Sequence, residues 1–80
     1  MSEVEEVIET LNELNEDSSV PKNIKNKLLG IIAELKSDKD LCLKINKSLS
    51  ELDEISEDAN LPSFIRTQLF GLASLLETLH

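Results

Sequence analysis

The chain has 80 residues, of which 40% are hydrophobic and 30% are charged, a composition typical of one globular domain and not of a disordered segment. Sixteen acidic and eight basic residues give a net charge of −8, which repels a phosphate backbone, so sequence-independent nucleic-acid binding is not expected. One cysteine and one histidine exclude a disulfide within the chain and the usual four-ligand zinc site.

The hydropathy pattern predicts a cytoplasmic protein that does not enter a membrane. The opening residues, MSEVEEVIET, are acidic and lack the apolar stretch of a secretory signal. Elsewhere no apolar run approaches the roughly 20 residues that a membrane-spanning helix needs.

The first predicted helix runs from about Glu3 to Asn15. Ser2 and Glu5 have the spacing of a capping box, in which two side chains satisfy the free N–H groups at a helix start. Apolar residues recur at helical spacing and should face the core; these are Val4, Val7, Ile8, Leu11 and Leu14.

The turn EDSSVP precedes a second helix that is predicted to open at Pro21, because proline suits the first helical turn. Val20 lies just before this proline and is therefore held extended, so that its side chain can fold back onto the hairpin. The expected inward residues of the second helix are Ile24, Leu28, Ile31, Ile32 and Leu35.

After the linker KSDKD, a third helix is predicted from about Leu41 to Ser56 and a fourth from about Pro62 to Leu79. The turn EDANLP joins them, with Leu61 in the place of Val20. The expected inward residues of the third helix are Leu41, Ile45, Leu49, Leu52 and Ile55. Those of the fourth are Ile65, Leu69, Leu72, Leu76 and Leu79.

The two halves of the chain are a repeat. Residues 4–36 align without a gap over residues 45–77, a shift of 41 positions, and nine of the 33 aligned pairs are identical. Short linkers place sequential helices antiparallel. The sequence therefore predicts an all-α protein, an antiparallel four-helix bundle built from two duplicated helical hairpins. One domain is expected over 1–80, with hairpin units at about 3–36 and 41–79 and a linker at 37–40.

Each turn also carries acidic residues whose role is open at this stage. Asp17 and Asp58 can accept hydrogen bonds from free N–H groups of the following helix, and Lys25 and Arg66 can reach back to these acids. These four residues form a candidate turn network. Alternatively, the carboxylates of the two turns bind a divalent cation or a basic partner; this cluster comprises Glu13, Glu16, Asp17, Glu54, Glu57 and Asp58.

The second unit carries a family resemblance. It resembles small archaeal proteins of the uncharacterised protein family zero-one-four-seven, which share a segment of the form LDEISEDPNMPxxxRTxIWxxxSxLE. The departures here are Ala59, Leu61 and Phe70; the matches are Leu52 to Asp58, Asn60, Pro62, Arg66, Thr67, Ser74 and Leu76 to Glu77. The resemblance implies a helical bundle in an archaeal cytoplasm and no assigned activity.

Motifs of enzymes are missing. The sequence has no nucleophile elbow, phosphate-binding glycine loop, HExxH or CxxC motif, and its single histidine, His80, is the last residue. Cys42 is expected to be a small core or boundary residue with no base beside it. We therefore expect no catalytic activity, no cofactor and no small-molecule substrate.

The fourth helix differs most from its counterpart in the first unit. Phe64 and Leu75 replace Asn23 and Glu34, and they lie about 20° apart around the helix, beside the core stripe. Phe70 and Leu29 lie on the other flank of their helices. Either these residues flank the core of the monomer, or Leu29, Phe64, Phe70 and Leu75 form a contact surface for a protein partner or for self-association.

The leading hypothesis is thus a non-catalytic module that binds another protein or itself as a homo-oligomer. The first alternative is a nucleic-acid or ribosome-associated accessory protein that uses the lysines of residues 22–27 together with Arg66. The second alternative is a divalent-metal protein that uses the carboxylates of the turns.

Overall fold

The computed structural model describes residues 3–79, which form four helices: α1 (Glu3–Glu16), α2 (Lys22–Lys36), α3 (Leu41–Ser56) and α4 (Ser63–Leu79). Each helix contacts the next one along the chain, and α4 closes the ring against α1. Within the described part, the backbones of the diagonal pairs α1/α3 and α2/α4 do not approach each other closely. The predicted antiparallel four-helix bundle is confirmed, with dimensions of 32 × 19 × 19 Å.

One cluster of buried apolar side chains connects all four helices and both turns. As predicted, Val20 and Leu61 fold back from the turns and are 3% and 4% exposed. Val4, Ile8, Leu49 and Leu79 are partly buried and pack against the edge of the cluster. Its fully buried members include Val7, Leu11, Ile24, Leu28, Ile31, Ile45, Leu52, Ile55, Ile65, Leu69 and Leu76.

Two predictions for the start of α3 are wrong. Leu41 was expected in the core but is 44% exposed, and Cys42 was expected in the core or at its boundary but is also exposed. Both belong to the first turn of α3, and the buried positions of this helix begin at Ile45. Helical spacing identifies the side of a helix that faces the core, but not how far the core extends along it.

Ser48 is a core residue that the apolar pattern did not reveal. Its side chain is fully buried, and its hydroxyl has no hydrogen-bond partner. A shift of 41 positions places Ser48 over Val7, which is buried to the same extent. The second unit therefore keeps a polar side chain where the first unit has an apolar one.

The helix starts differ by one residue from the prediction. α2 begins at Lys22 and α4 at Ser63, so each proline directly precedes its helix. The carbonyls of Pro21 and Pro62 already accept the first helical hydrogen bonds, from the N–H of Lys25 and of Arg66, at 3.0 and 3.1 Å. The predicted capping box involves Ser2 and therefore lies outside the described residues, as does His80.

Candidate functional site

The aspartates of the turns stabilise the turns themselves. Asp17 Oδ1 accepts hydrogen bonds from the backbone N–H of Ser19 at 2.9 Å and from its hydroxyl at 2.7 Å. Asp58 Oδ1 accepts one from the backbone N–H of Asn60 at 2.8 Å. The expected bonds to N–H groups of the following helix are therefore wrong, because each carboxylate is closer to the N–H two residues ahead, in the geometry of an Asx turn.

Arg66 was predicted to reach back to the acids of the turn, but its acceptors are backbone carbonyls at the end of α3. Its Nε donates to Ser56 O and its Nη2 to Asp58 O, both at 2.9 Å. These carbonyls lie at a helix C-terminus, where they lack helical partners and a cation is favourable. Lys25 is the equivalent residue in the first unit, and it acts on Asp17 through its charge.

The Ser19 hydroxyl and N–H lower the pKa of Asp17 below its ordinary value, and the positive charge of Lys25 adds to this effect. Because the folded-state pKa is the lower one, this carboxylate stabilises the fold above its unfolded-state pKa, and the contribution is lost as the pH falls through the folded-state value.

Replacing Ser19 with alanine removes the largest of these causes. We expect the pKa of Asp17 in Ser19→Ala to rise toward its ordinary value, because the hydroxyl no longer stabilises the charged form. The rise should be partial, since the backbone N–H of residue 19 still donates to the carboxylate. Titration of the Asp17 carboxyl carbon by NMR measures this. Exposed Ser18→Ala is the matched control, and an unchanged pKa in Ser19→Ala would contradict the assignment.

The structure gives no support to the two alternative sites. Within residues 3–79, no group of three or more His, Cys, Asp or Glu side chains is placed to hold a metal ion. Lys25 and Lys27 lie about 160° apart around α2, so the lysines of residues 22–27 do not form one patch. Arg66, the remaining cation of that hypothesis, already binds the end of α3.

The most unusual surface belongs to α4. We define the α4 face as Phe64, Thr67, Phe70, Gly71 and Ser74, all of which are exposed. Phe64 is 53% and Phe70 56% exposed. The two rings lie about 120° apart around the helix, and the three small residues occupy the arc between them. The face is therefore a strip of small, uncharged residues with an aromatic ring at each edge.

The neighbouring helices bound this face on both sides. Phe70 and Glu77 border a shallow groove with Leu49 and Asp53 of α3. On the other side, Gly71 borders a groove shared with α1. The α4 face is thus the ridge between two grooves, and no other helix of the described chain covers it.

The repeat supplies a comparison surface on α2. The two helices are copies, yet α2 has five charged residues and α4 has two. The charges of α2 are Lys22, Lys25, Lys27, Glu34 and Lys36, and those of α4 are Arg66 and Glu77. The charges that α4 lacks are those at Lys22, Lys27 and Glu34, none of which is equivalent to a residue of the α4 face. The α4 face differs from the equivalent surface of α2 in its two aromatic rings, Phe64 and Phe70.

Burial of the α4 face would leave few polar groups without partners. The hydroxyl of Thr67 donates to Ser63 O at 3.1 Å, and that of Thr78 donates to Leu75 O at 2.6 Å. Both hydroxyls are thus already paired within their own helix. Removing them from water would cost less than removing unpaired hydroxyls.

The structure does not bring all four predicted contact residues together. Phe64 and Phe70 belong to the α4 face, but Leu75 is half-buried and packs against the core. Leu29 is 49% exposed, yet it lies on α2, which is diagonal to α4 across the bundle. A flat partner on the α4 face therefore cannot also cover Leu29.

Leu43 is an exposed apolar residue that was missed. It is 61% exposed and lies in the first turn of α3. A signal was available, because Leu41 and Leu43 are two residues apart and point about 160° away from each other. Both could not face the core.

The fold and this surface define an acidic bundle of two duplicated helical hairpins with one uncharged, aromatic-edged face. The model of the uncharacterised protein family (UPF0147) matches residues 1–79, and the chain belongs to this family. The resemblance seen in the second unit is thereby confirmed. Comparison with curated proteins gives no match, and comparison with solved structures gives none either.

The four helices do not have the properties of membrane spans. Within residues 3–79, none of them combines the length and the apolar character needed to cross a bilayer.

Proposed function

We propose that this protein is a non-catalytic interaction module of the archaeal cytoplasm that binds a protein partner through its α4 face. The proposal includes no cofactor, no small-molecule substrate, no nucleic acid and no membrane. The observation that carries it is the pair of exposed phenylalanines on one uncharged helix face, Phe64 and Phe70, in a molecule whose net charge is −8.

The exposed rings give this surface a reason to be covered. An exposed phenylalanine is unremarkable alone, but two of them on one helix, with uncharged residues between, form a continuous apolar-edged strip. Burying the exposed parts of Phe64 and Phe70 would contribute about 2 kcal/mol. Aromatic residues are also enriched at the centres of protein interfaces, whereas charged residues are depleted there.

The lack of charge on the α4 face acts in the same direction. A charged side chain at an interface centre has to be desolvated, which opposes binding unless it finds a partner. The arc of small residues on the α4 face imposes no such penalty, and it allows a second helix to approach closely. The equivalent positions of α2 are uncharged as well, but they carry Asn23 in place of Phe64 and Leu29 in place of Phe70.

Photocrosslinking tests the proposal directly. A benzoylphenylalanine introduced at Thr67, on the α4 face, is expected to form protein adducts when irradiated in the cells that make this protein. The same probe at Asn26 is the matched control, because Asn26 occupies the equivalent exposed position of α2. Adducts are expected from position 67 and not from position 26.

Equal adduct formation at the two positions, or none at position 67, would contradict the proposal. Circular dichroism of both variants shows whether the helical fold is retained. Mass spectrometry of each adduct identifies its partner, which separates a second copy of the chain from a different protein.

A further inference from the structure

We propose that the partner of the α4 face is a second copy of this chain, and that two bundles pair through antiparallel α4 helices about a two-fold axis beside Gly71. This inference rests on the proposed function, because it names the partner of the same surface. A two-fold interface has to be complementary to itself, so each feature must meet its match after rotation.

The two charges of α4 satisfy this requirement. Arg66 and Glu77 are eleven residues apart, so they lie about 20° apart around the helix and about 16 Å apart along it. Both are on the side toward α3, because Arg66 binds Ser56 O and Glu77 borders the groove that α4 shares with α3. In an antiparallel pairing about a two-fold axis, the two α4 helices run in opposite directions. The side of α4 toward α3 in one copy then lies next to the same side of α4 in the other copy.

The position of the axis follows from these two residues. Along the helix axis, the midpoint between Arg66 and Glu77 falls at the level of Gly71. Rotation about this point places Arg66 of each copy beside Glu77 of the other, which creates two ion pairs. Nε and Nη2 of Arg66 donate to the end of α3, so the second amino nitrogen of the guanidinium would face Glu77. In a parallel pairing, the same residues would lie on opposite sides of the contact and could not meet.

The aromatic residues follow the same symmetry. Phe70 lies on the same side as the two charges and close to the midpoint, so its ring would meet Phe70 of the second copy. Phe64 lies at the other edge and near the helix start, level with the partly buried Leu79 of the second copy. Each exposed ring would thus gain an apolar neighbour.

The lack of a side chain at Gly71 also favours close approach of the two α4 helices. An added Cβ at Gly71 would have nothing within 4 Å inside the molecule. This glycine therefore meets no need of the bundle's own packing, although glycine within a helix lowers stability relative to alanine. Helices can approach each other most closely at such a residue.

The distribution of charge, and not the net charge, favours a second copy over a basic partner. A basic protein would be attracted to acidic surfaces, and the α4 face carries no acid. Two copies of a molecule with a charge of −8 repel each other over most of their surfaces. The α4 face is the surface on which this repulsion is least.

The size of the molecule limits the affinity. One side of the bundle measures 32 by 19 Å, so a contact covering it would bury about 600 Å² per partner, near the lower end of specific interfaces. We expect a dissociation constant on the order of micromolar, and therefore a mixture of monomer and dimer that depends on concentration.

Sedimentation equilibrium of the full chain over a wide concentration range tests this inference. The expected result is a shift from the monomer mass of 8.9 kDa to twice that value. Gly71→Glu is expected to weaken dimerisation roughly a hundredfold or more, because two like charges would face each other at the axis. Gly30→Glu is the matched control on α2, since it adds the same charge at the equivalent position and also meets nothing within 4 Å.

Glu77→Lys tests the antiparallel arrangement. It is expected to weaken the dimer roughly tenfold, because Arg66 of the other copy would face a like charge. This substitution also reduces the net negative charge, which by itself would strengthen association, so the expected weakening is specific. Glu54→Lys makes the same change of charge at an exposed site on α3 and should not weaken the dimer.

The outcomes separate the two proposals. A monomer at every concentration would overturn the inference, whereas adducts of a different protein at position 67 would still support the α4 face as a binding surface. A dimer that Gly71→Glu leaves intact would overturn the inference in the same way. A dimer that tolerates Glu77→Lys would overturn the antiparallel pairing.

Discussion

Arg66→Ala is expected to lower the free energy of unfolding by about 2 kcal/mol, whereas Lys25→Ala at the equivalent position should lower it by less than about 0.5 kcal/mol. The guanidinium of Arg66 makes two hydrogen bonds to carbonyls at the end of α3, each 2.9 Å long. Hydrogen bonds from a charged donor are stronger than neutral ones, and their loss would leave the carbonyls of Ser56 and Asp58 without these donors.

Thermal unfolding followed by circular dichroism measures the effect. A loss of about 2 kcal/mol corresponds to a decrease in melting temperature of about 10 °C in a domain of this size. Arg66→Lys keeps the charge but not the planar fork, so it should recover part of the loss and separate the charge from the hydrogen bonds. Equal losses in Arg66→Ala and Lys25→Ala would contradict this role of Arg66.

A second cation has a similar role at the other end of the bundle. Lys44 Nζ donates to Leu35 O at 3.3 Å and to Ser37 O at 3.1 Å, so it joins the start of α3 to the end of α2. Two of the eight basic residues thus bind carbonyls at helix C-termini, where the helix dipole favours a positive charge. Local charge placement therefore stabilises a fold whose overall charge opposes compactness.

Most of the fold could be predicted from the sequence because its determinants are local. The spacing of the apolar residues determined which side of each helix is buried, and the residues before Pro21 and Pro62 were correctly expected to fold inward. The repeat then indicated that the two hairpins fold alike, since two copies of one unit are expected to bury equivalent apolar residues. Helix ends were displaced by one residue, because a proline at a helix start can precede the helix or open it.

The candidate site was less predictable, because it depends on how helices are placed relative to each other. The aromatic residues of α4 were found by aligning the two units, which shows where α4 has an aromatic residue and α2 does not. Leu29 was wrongly grouped with them, because sequence spacing does not show that α2 and α4 are diagonal. The carbonyl acceptors of Arg66 were also hidden, since every residue has a carbonyl and only the fold places particular ones within reach.

Val7→Ser is expected to destabilise the protein by about 3 kcal/mol, and the reciprocal change Ser48→Val is expected to stabilise it by about 1 kcal/mol. Val7 and Ser48 occupy equivalent positions of the repeat, and both are fully buried. Valine and serine have similar helix propensities, so the difference reports burial and not helix formation. Val7→Ser removes apolar surface and places a hydroxyl in the core, whereas Ser48→Val removes a hydroxyl that has no partner.

Urea unfolding of both variants measures these changes. Ser48→Ala removes the hydroxyl without adding volume, so it shows whether overpacking has masked the gain in Ser48→Val. Ser50→Ala on the exposed side of α3 supplies the contribution of helix propensity alone. If Ser48→Ala stabilises no more than Ser50→Ala, the hydroxyl of Ser48 does not destabilise the core. In that case the second unit tolerates a polar group that the first unit, with Val7 in the same place, does not contain.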